Sequence, residues 1–160
     1  MHPVSSLQII YASTSGHTEY VVGVVQTCLM AAEIRESPLQ INIVRAESAQ
    51  PEDLQKGDVL LLASGTWNTG GIEGQLNPHM FDFLIGRAKD CDLNKKPVAI
   101  IALGDERYFY TARAGEHLRR FVLDHNGTVL GDTLAVVNEP YGQEERVKKW
   151  TGQLLSFLAS

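Results

Sequence analysis

Short runs of apolar residues recur along the chain at Leu7 to Ala12, Ile41 to Val44, Val59 to Ala63, Val98 to Leu103 and Leu134 to Val137. Three of them, at Ile9-Ile10, Val59 to Leu62 and Val98 to Leu103, are continuous rather than alternating. A strand needs such a run only when both of its faces are covered, so the pattern predicts a parallel sheet between helical layers. The fifth strand is predicted within Leu130 to Val137.

Between these runs the period changes to that of a helix. Val21, Val24, Val25, Cys28, Leu29 and Ala32 form one stripe after the first strand, and Ala114, Leu118, Phe121, Val122 and His125 form another after the fourth. Val147, Trp150, Leu154, Phe157 and Leu158 repeat it near the C-terminus. A shorter helix is predicted over Pro78 to Ala88, and a helical turn near Pro51 to Leu54. Right-handed crossovers then give an α/β fold, a doubly wound, five-stranded parallel sheet with helices on both faces. Ligands of such sheets bind beyond the C-terminal ends of the strands, which directs attention to the loops after strands one, three and four.

Composition narrows the function classes. With 160 residues, 44% apolar and 21% charged, the chain fits one domain over 1–160 with a core of its own. A net charge of −5 offers no general basic field for nucleic acid. Cys28 and Cys91 have no metal-ligand or disulfide spacing around them, and the N-terminal residues lack the features of a secretion signal or membrane span. These features suggest a cytoplasmic protein that contacts neither membrane nor nucleic acid.

After strand one, Ser13-Thr14-Ser15-Gly16-His17-Thr18 runs directly into a helix. Hydroxyls and a glycine at a helix N-terminus make an anion site, because backbone N–H groups point outward and the helix dipole favours negative charge. The loop holds no Lys or Arg, and neither the P-loop nor the G-x-G-x-x-G fingerprint is present, so a monoester phosphate held by neutral donors fits best. The same residues also suit an ordinary turn in which Ser15 or Gly16 caps the helix. His17 has no partner at metal-ligand spacing and reads as an exposed loop residue. After strand three, Ser64-Gly65-Thr66-Trp67-Asn68-Thr69-Gly70-Gly71 reads as a turn-rich loop whose large aromatic either covers something flat or folds back on the core. After strand four comes Gly104-Asp105-Glu106-Arg107-Tyr108-Phe109-Tyr110-Thr111, with three adjacent aromatics.

The pattern at Ser13 to Glu19, the T-W-N-x-G segment at Thr66 to Gly70 and the G-D-x-x-Y segment at Gly104 to Tyr108 together resemble the flavodoxins, in their short-chain form. The resemblance implies a sheet of order 2-1-3-4-5 with FMN at the switch point between strands one and three, an arrangement for which flavodoxin is a standard example. It implies that Ser13, Thr14, Ser15, Gly16, His17 and Thr18 surround the FMN phosphate. It places Trp67 and Tyr108 on the two faces of the flavin ring, with Ser64, Gly65, Thr66, Asn68, Thr69, Gly70 and Gly104 in the surrounding loops. Asp105 lies at the pyrimidine edge or is a turn residue, and Tyr110 lies near the ribityl chain. The carbonyl after the tryptophan, here that of Asn68, accepts a hydrogen bond from ring N5 in the family. Gly65 departs from the family pattern and suggests a more mobile loop. Arg107 and Arg113 are the cations whose approach to the flavin mouth would raise its potential.

The resemblance implies a low-potential one-electron carrier, a monomer rather than an enzyme, meeting flavoprotein or iron–sulfur partners transiently. The alternative is an FMN-dependent NAD(P)H quinone reductase of related fold. A receiver domain of the same topology is excluded, since the acids it requires after strands one and three are absent.

Overall fold

The computed structural model describes residues 4–32, 38–105 and 112–159. Tyr108, Tyr110 and Arg107 lie outside them. Strand β1 (Ser6–Ala12) leads into helix α1 (His17–Ala31), and β2 (Gln40–Arg45) into two short 3₁₀ turns, the second at Pro51–Gln55. β3 (Val59–Thr69) and β4 (Ile72–Leu76) form a hairpin, followed by α2 (Pro78–Phe81), whose last turns widen into a π-helix over Asp82–Arg87. Then come β5 (Pro97–Gly104), α3 (Ala114–Asp124), β6 (Thr128–Val129), β7 (Leu134–Val137) and α4 (Glu144–Leu158).

The sheet runs β2-β1-β3-β5-β6, with β7 also paired to β5 and β4 paired to β3. Its parallel part has the order expected from the sequence. Two features differ from that expectation. The fifth strand is divided into β6 and β7, and the segment after Ser64 is strand rather than loop. Thr66 pairs with Leu76 and Trp67 with Gln75 in antiparallel register. Gly70 and Gly71 close this hairpin with φ of 64° and 79°. Two consecutive left-handed residues match the twist of a two-residue hairpin turn, a conformation that glycine adopts without strain.

Along β3 the side chains alternate between two cores. Leu61 and Ala63 join Ile9, Val21, Val25, Leu29 and Leu154 beneath α1 and α4. Leu60 and Leu62 join Ile10, Ile100, Met80, Phe83, Leu118 and Phe121 beneath α2 and α3. Each fully buried Leu contributes about 2 kcal/mol, which fixes the register because a one-residue slip would exchange the two faces. The α1 stripe is buried through Val21, Val22, Val25 and Leu29. Phe157, assigned to the α4 stripe by its spacing, is 46% exposed, and its ring lies against Gly131 instead.

The amino-terminal edge of the sheet is sealed by polar contacts. The Asp58 carboxylate accepts from the backbone N–H and hydroxyl groups of both Ser5 and Ser6. Lys96 Nζ donates to the carbonyls of Gln55, Lys56 and Gly57 at 2.6, 2.9 and 2.6 Å. Burial pushes the Lys96 ammonium below the usual lysine range, with Asp58 opposing that shift.

Candidate functional site

The carboxyl-terminal edge is built differently. α1 starts at Gly16, which has φ 91° and offers no side-chain cap. The Glu19 N–H is taken by Ser13 Oγ at 3.2 Å, and the Gly16 carbonyl accepts from Tyr20 N–H at 3.0 Å. Among the described residues, no partner is found for the N–H groups of Ser15, Gly16, His17 and Thr18. Unsatisfied donors at the positive end of a 15-residue helix are suited to an anion. Ser13 thus caps Glu19, and the N–H groups before it are left open.

Two residues that the sequence did not single out shape this loop. Asn77 is fully buried: its Nδ2 donates to Thr14 Oγ1 at 3.0 Å and its Oδ1 caps α2 through His79 N–H at 2.9 Å. Its own N–H is taken by the Ser64 hydroxyl at 3.1 Å. Arg45, at the end of β2, reaches beneath the loop, donating to the Ser13 carbonyl at 3.4 Å and pairing with Glu19. It also lies 5.2 Å from the centre of the Tyr11 ring. Burial raises the Tyr11 hydroxyl above the usual tyrosine range, with the Arg45 charge opposing that rise. The loop contains no cation in sequence, yet a guanidinium supports it from another strand.

The hairpin carries Trp67 to the same edge. Trp67 is 38% exposed, unusual for the largest side chain. A Cβ placed on Gly65 would lie 3.0 Å from Trp67 Nε1 and 3.8 Å from Thr18 Oγ1, so the indole rests against the glycine backbone beside the start of α1. Gly65 is buried and pairs with Leu103 in the β3–β5 ladder, so it gives room to the indole rather than mobility to a loop. Thr66 Oγ1 donates to the Leu103 carbonyl at 2.7 Å and accepts from Ala114 N–H at 3.0 Å, joining β5 to the start of α3. Thr69 Oγ1 donates across the hairpin to the Leu76 carbonyl at 2.6 Å. Gly104 accepts from Asn138 N–H at 2.7 Å, and Asp105 follows it at the strand end, half-buried. The Arg113 guanidinium pairs with Glu116 at 3.3 Å on its own helix. The structure thus brings the anion loop, Gly65 and Trp67 together, whereas the hydroxyls of Ser64, Thr66 and Thr69 bond to the scaffold.

The sequence profile described as Flavodoxin matches residues 9–150. The chain belongs to the flavodoxin family. A curated relative, probable flavodoxin 2 of Bacillus subtilis (strain 168), is 23% identical over 145 residues, covering 89% of this chain and 88% of that protein. Among solved structures, oxidised flavodoxin 2 of Bacillus cereus has a TM-score of 0.82 at 23% identity, covering 94% of this chain and 98% of that one. Oxidised flavodoxin 1 of the same organism has a TM-score of 0.80 at 23% identity, over 95% and 98%. Flavodoxins bind FMN and transfer electrons. The open N–H groups and the exposed Trp67 suit such a cofactor, the former as a cradle for its phosphate and the latter as a cover for its ring. No helix among the described residues is long and apolar enough to cross a membrane, and none of their side chains cluster as a metal site.

Proposed function

We propose that this chain, acting as a single domain, is a low-potential one-electron carrier that holds one FMN non-covalently and passes electrons between a reductase and acceptor proteins. The observation that carries the reading is the run of open N–H groups from Ser15 to Thr18 beside the exposed Trp67. The N–H groups of Ser15 to Thr18 and the Thr14 hydroxyl, held by Asn77, would bind the phosphate. Trp67 would cover one ring face, and Tyr108 is assigned to the other by the family pattern. Bound FMN supplies the electron storage. The protein positions the ring and sets the electrostatics around it. An apolar aromatic wall with Asp105 nearby disfavours added negative charge, which supports a low potential. With both ring faces assigned to aromatics, no space is assigned to nicotinamide or quinone, which favours a carrier over a quinone reductase. Partners are flavoprotein or iron–sulfur proteins met transiently by a monomer.

Apo-protein titrated with FMN should bind one equivalent, and the extracted flavin should be FMN rather than FAD. Trp67→Ala should weaken FMN binding by about 1–3 kcal/mol, the range for aromatic stacking on flat heterocycles. NADPH alone should reduce the holo-protein slowly and a flavoprotein reductase quickly. Failure to bind FMN would overturn the cofactor assignment, and rapid reduction by NADPH alone would overturn the carrier in favour of the reductase.

A further inference from the structure

We propose that Gly65 is the residue that positions Trp67 for the flavin: its missing side chain leaves a recess that seats the indole, so that the ring cover is preorganised in the protein. The inference rests on the FMN site proposed above and adds to it a positioning residue that acts through the indole.

On a strand, side chains two positions apart stand on the same face, so a side chain at 65 would rise beside that of Trp67. A Cβ built on Gly65 lies 3.0 Å from Trp67 Nε1 and 3.4 Å from its Cδ1, the first of these tighter than such atoms ordinarily pack. Its third neighbour, Thr18 Oγ1, stands at 3.8 Å, an ordinary contact. Among the described residues, the indole alone crowds the position. Nothing in the backbone calls for glycine there. Gly65 lies outside the left-handed region and pairs with Leu103 in the β3–β5 ladder, and its carbonyl accepts from Asn77 N–H at 3.1 Å and from the Ser64 hydroxyl at 2.8 Å. Alanine would keep all of these, whereas glycine inside a strand forfeits stability. The chain thus carries the costlier residue at a place where only the neighbouring indole gains from it.

The rest of the hairpin fixes the Trp67 backbone but not its side chain. Trp67 pairs with Gln75, the Thr66 hydroxyl is tied to the Leu103 carbonyl at 2.7 Å, and the Thr69 hydroxyl to the Leu76 carbonyl at 2.6 Å. Gln75, directly across from Trp67, turns its own Oε1 back to the Leu76 N–H at 2.9 Å. With the backbone pinned on both sides, the side-chain torsions are what remain free, and a 38% exposed indole has several staggered settings open to it. The recess at Gly65 favours one of them. A tryptophan already held in that setting gives up less freedom when a flavin stacks on it, and this raises affinity without adding a contact. Filling the recess with a methyl group makes the exposed indole yield, since Thr18 has room and the ladder is fixed.

The test is a double-mutant cycle on the full chain, read with FMN and with riboflavin, which has the same ring and no phosphate. Gly65→Ala should weaken both flavins by the same factor, about three- to tenfold, and alter the visible circular dichroism of the bound ring. In the Trp67→Ala background the same substitution should change either Kd by less than about twofold, because the group it displaces is gone. Without flavin, the urea midpoint of Gly65→Ala should equal or exceed that of wild type. Unchanged Kd values for both flavins, tighter binding by Gly65→Ala, a loss confined to FMN, or an equal loss in the Trp67→Ala background would each overturn the role of Gly65 and leave the FMN assignment standing. Failure of Gly65→Ala to fold in both backgrounds would do the same, by showing that the ladder rather than the indole requires glycine. If wild type bound neither flavin, the cofactor reading would fall and this proposal with it.

Discussion

The two edges of the sheet handle polar groups in opposite ways. At the amino-terminal edge one carboxylate takes four donors and one ammonium takes three carbonyls. At the carboxyl-terminal edge a run of N–H groups faces outward and a tryptophan is left partly bare. Burying a polar group without a partner costs roughly 1–3 kcal/mol, so a stable scaffold closes such groups wherever it can. The edge left open is the one to which the proposed function assigns a partner from outside the chain.

The sharpest way to break this contrast is Lys96→Met. Three carbonyls lose their shared donor, and the protein should lose about 2–3 kcal/mol of stability in denaturant titration while its FMN affinity stays unchanged. A large change in affinity would show that the two edges are coupled. Asn77→Ser acts on the boundary between scaffold and site. A serine hydroxyl still caps α2 but is too short to hold Thr14, so FMN affinity should fall by about 1 kcal/mol, with riboflavin affinity little affected. Equal losses for both flavins would assign Asn77 to general scaffolding.

The smallest effect is expected from Asp58→Asn. Hydrogen bonds from Ser5, the backbone one foremost, hold the Asp58 carboxyl below its usual range. A depressed folded value means that the ionised form stabilises the fold. The contribution is complete above the ordinary aspartate range and is lost as pH falls below about 4. Wild type should exceed Asp58→Asn by about 0.5–1 kcal/mol at pH 7, discounted for the group's exposure, and the gap should narrow as pH falls below the ordinary aspartate range. A difference that does not narrow on acidification would mean that packing rather than charge ties Asp58 to β1.

Most of the scaffold is readable from local pattern because β1, β3 and β5 are buried on both faces and their runs are continuous. The anion loop is readable too, since hydroxyls and glycine before an apolar stripe are a local signal. The hairpin is not: Gly70 and Gly71 signal a turn, but β4 carries Glu73, Gly74 and Gln75, which have little strand propensity. Its pairing comes from the ladder to Trp67 and from Thr69 bonding to Leu76. Arg45 and Asn77 escape for another reason. Asn77 meets Thr14 across 63 positions of chain and Arg45 meets Ser13 across 32, and no local spacing records such contacts. The edge-on contact of His17 with Tyr141, 124 positions away, is of the same kind.

The Gly70-Gly71 turn bears on how this protein could be altered. A Cβ built on either glycine would meet nothing within 4 Å, so the tip of the hairpin stands clear of the rest of the molecule. The cross-hairpin bond from Thr69 and the pairing of Trp67 with Gln75 hold the base independently of the tip. Loop closure becomes costlier only slowly with length, about 0.6 kcal/mol for each doubling. Extra residues, a reporter peptide or an affinity handle, can therefore be inserted between the two glycines a few residues from the indole while its register in the sheet is kept.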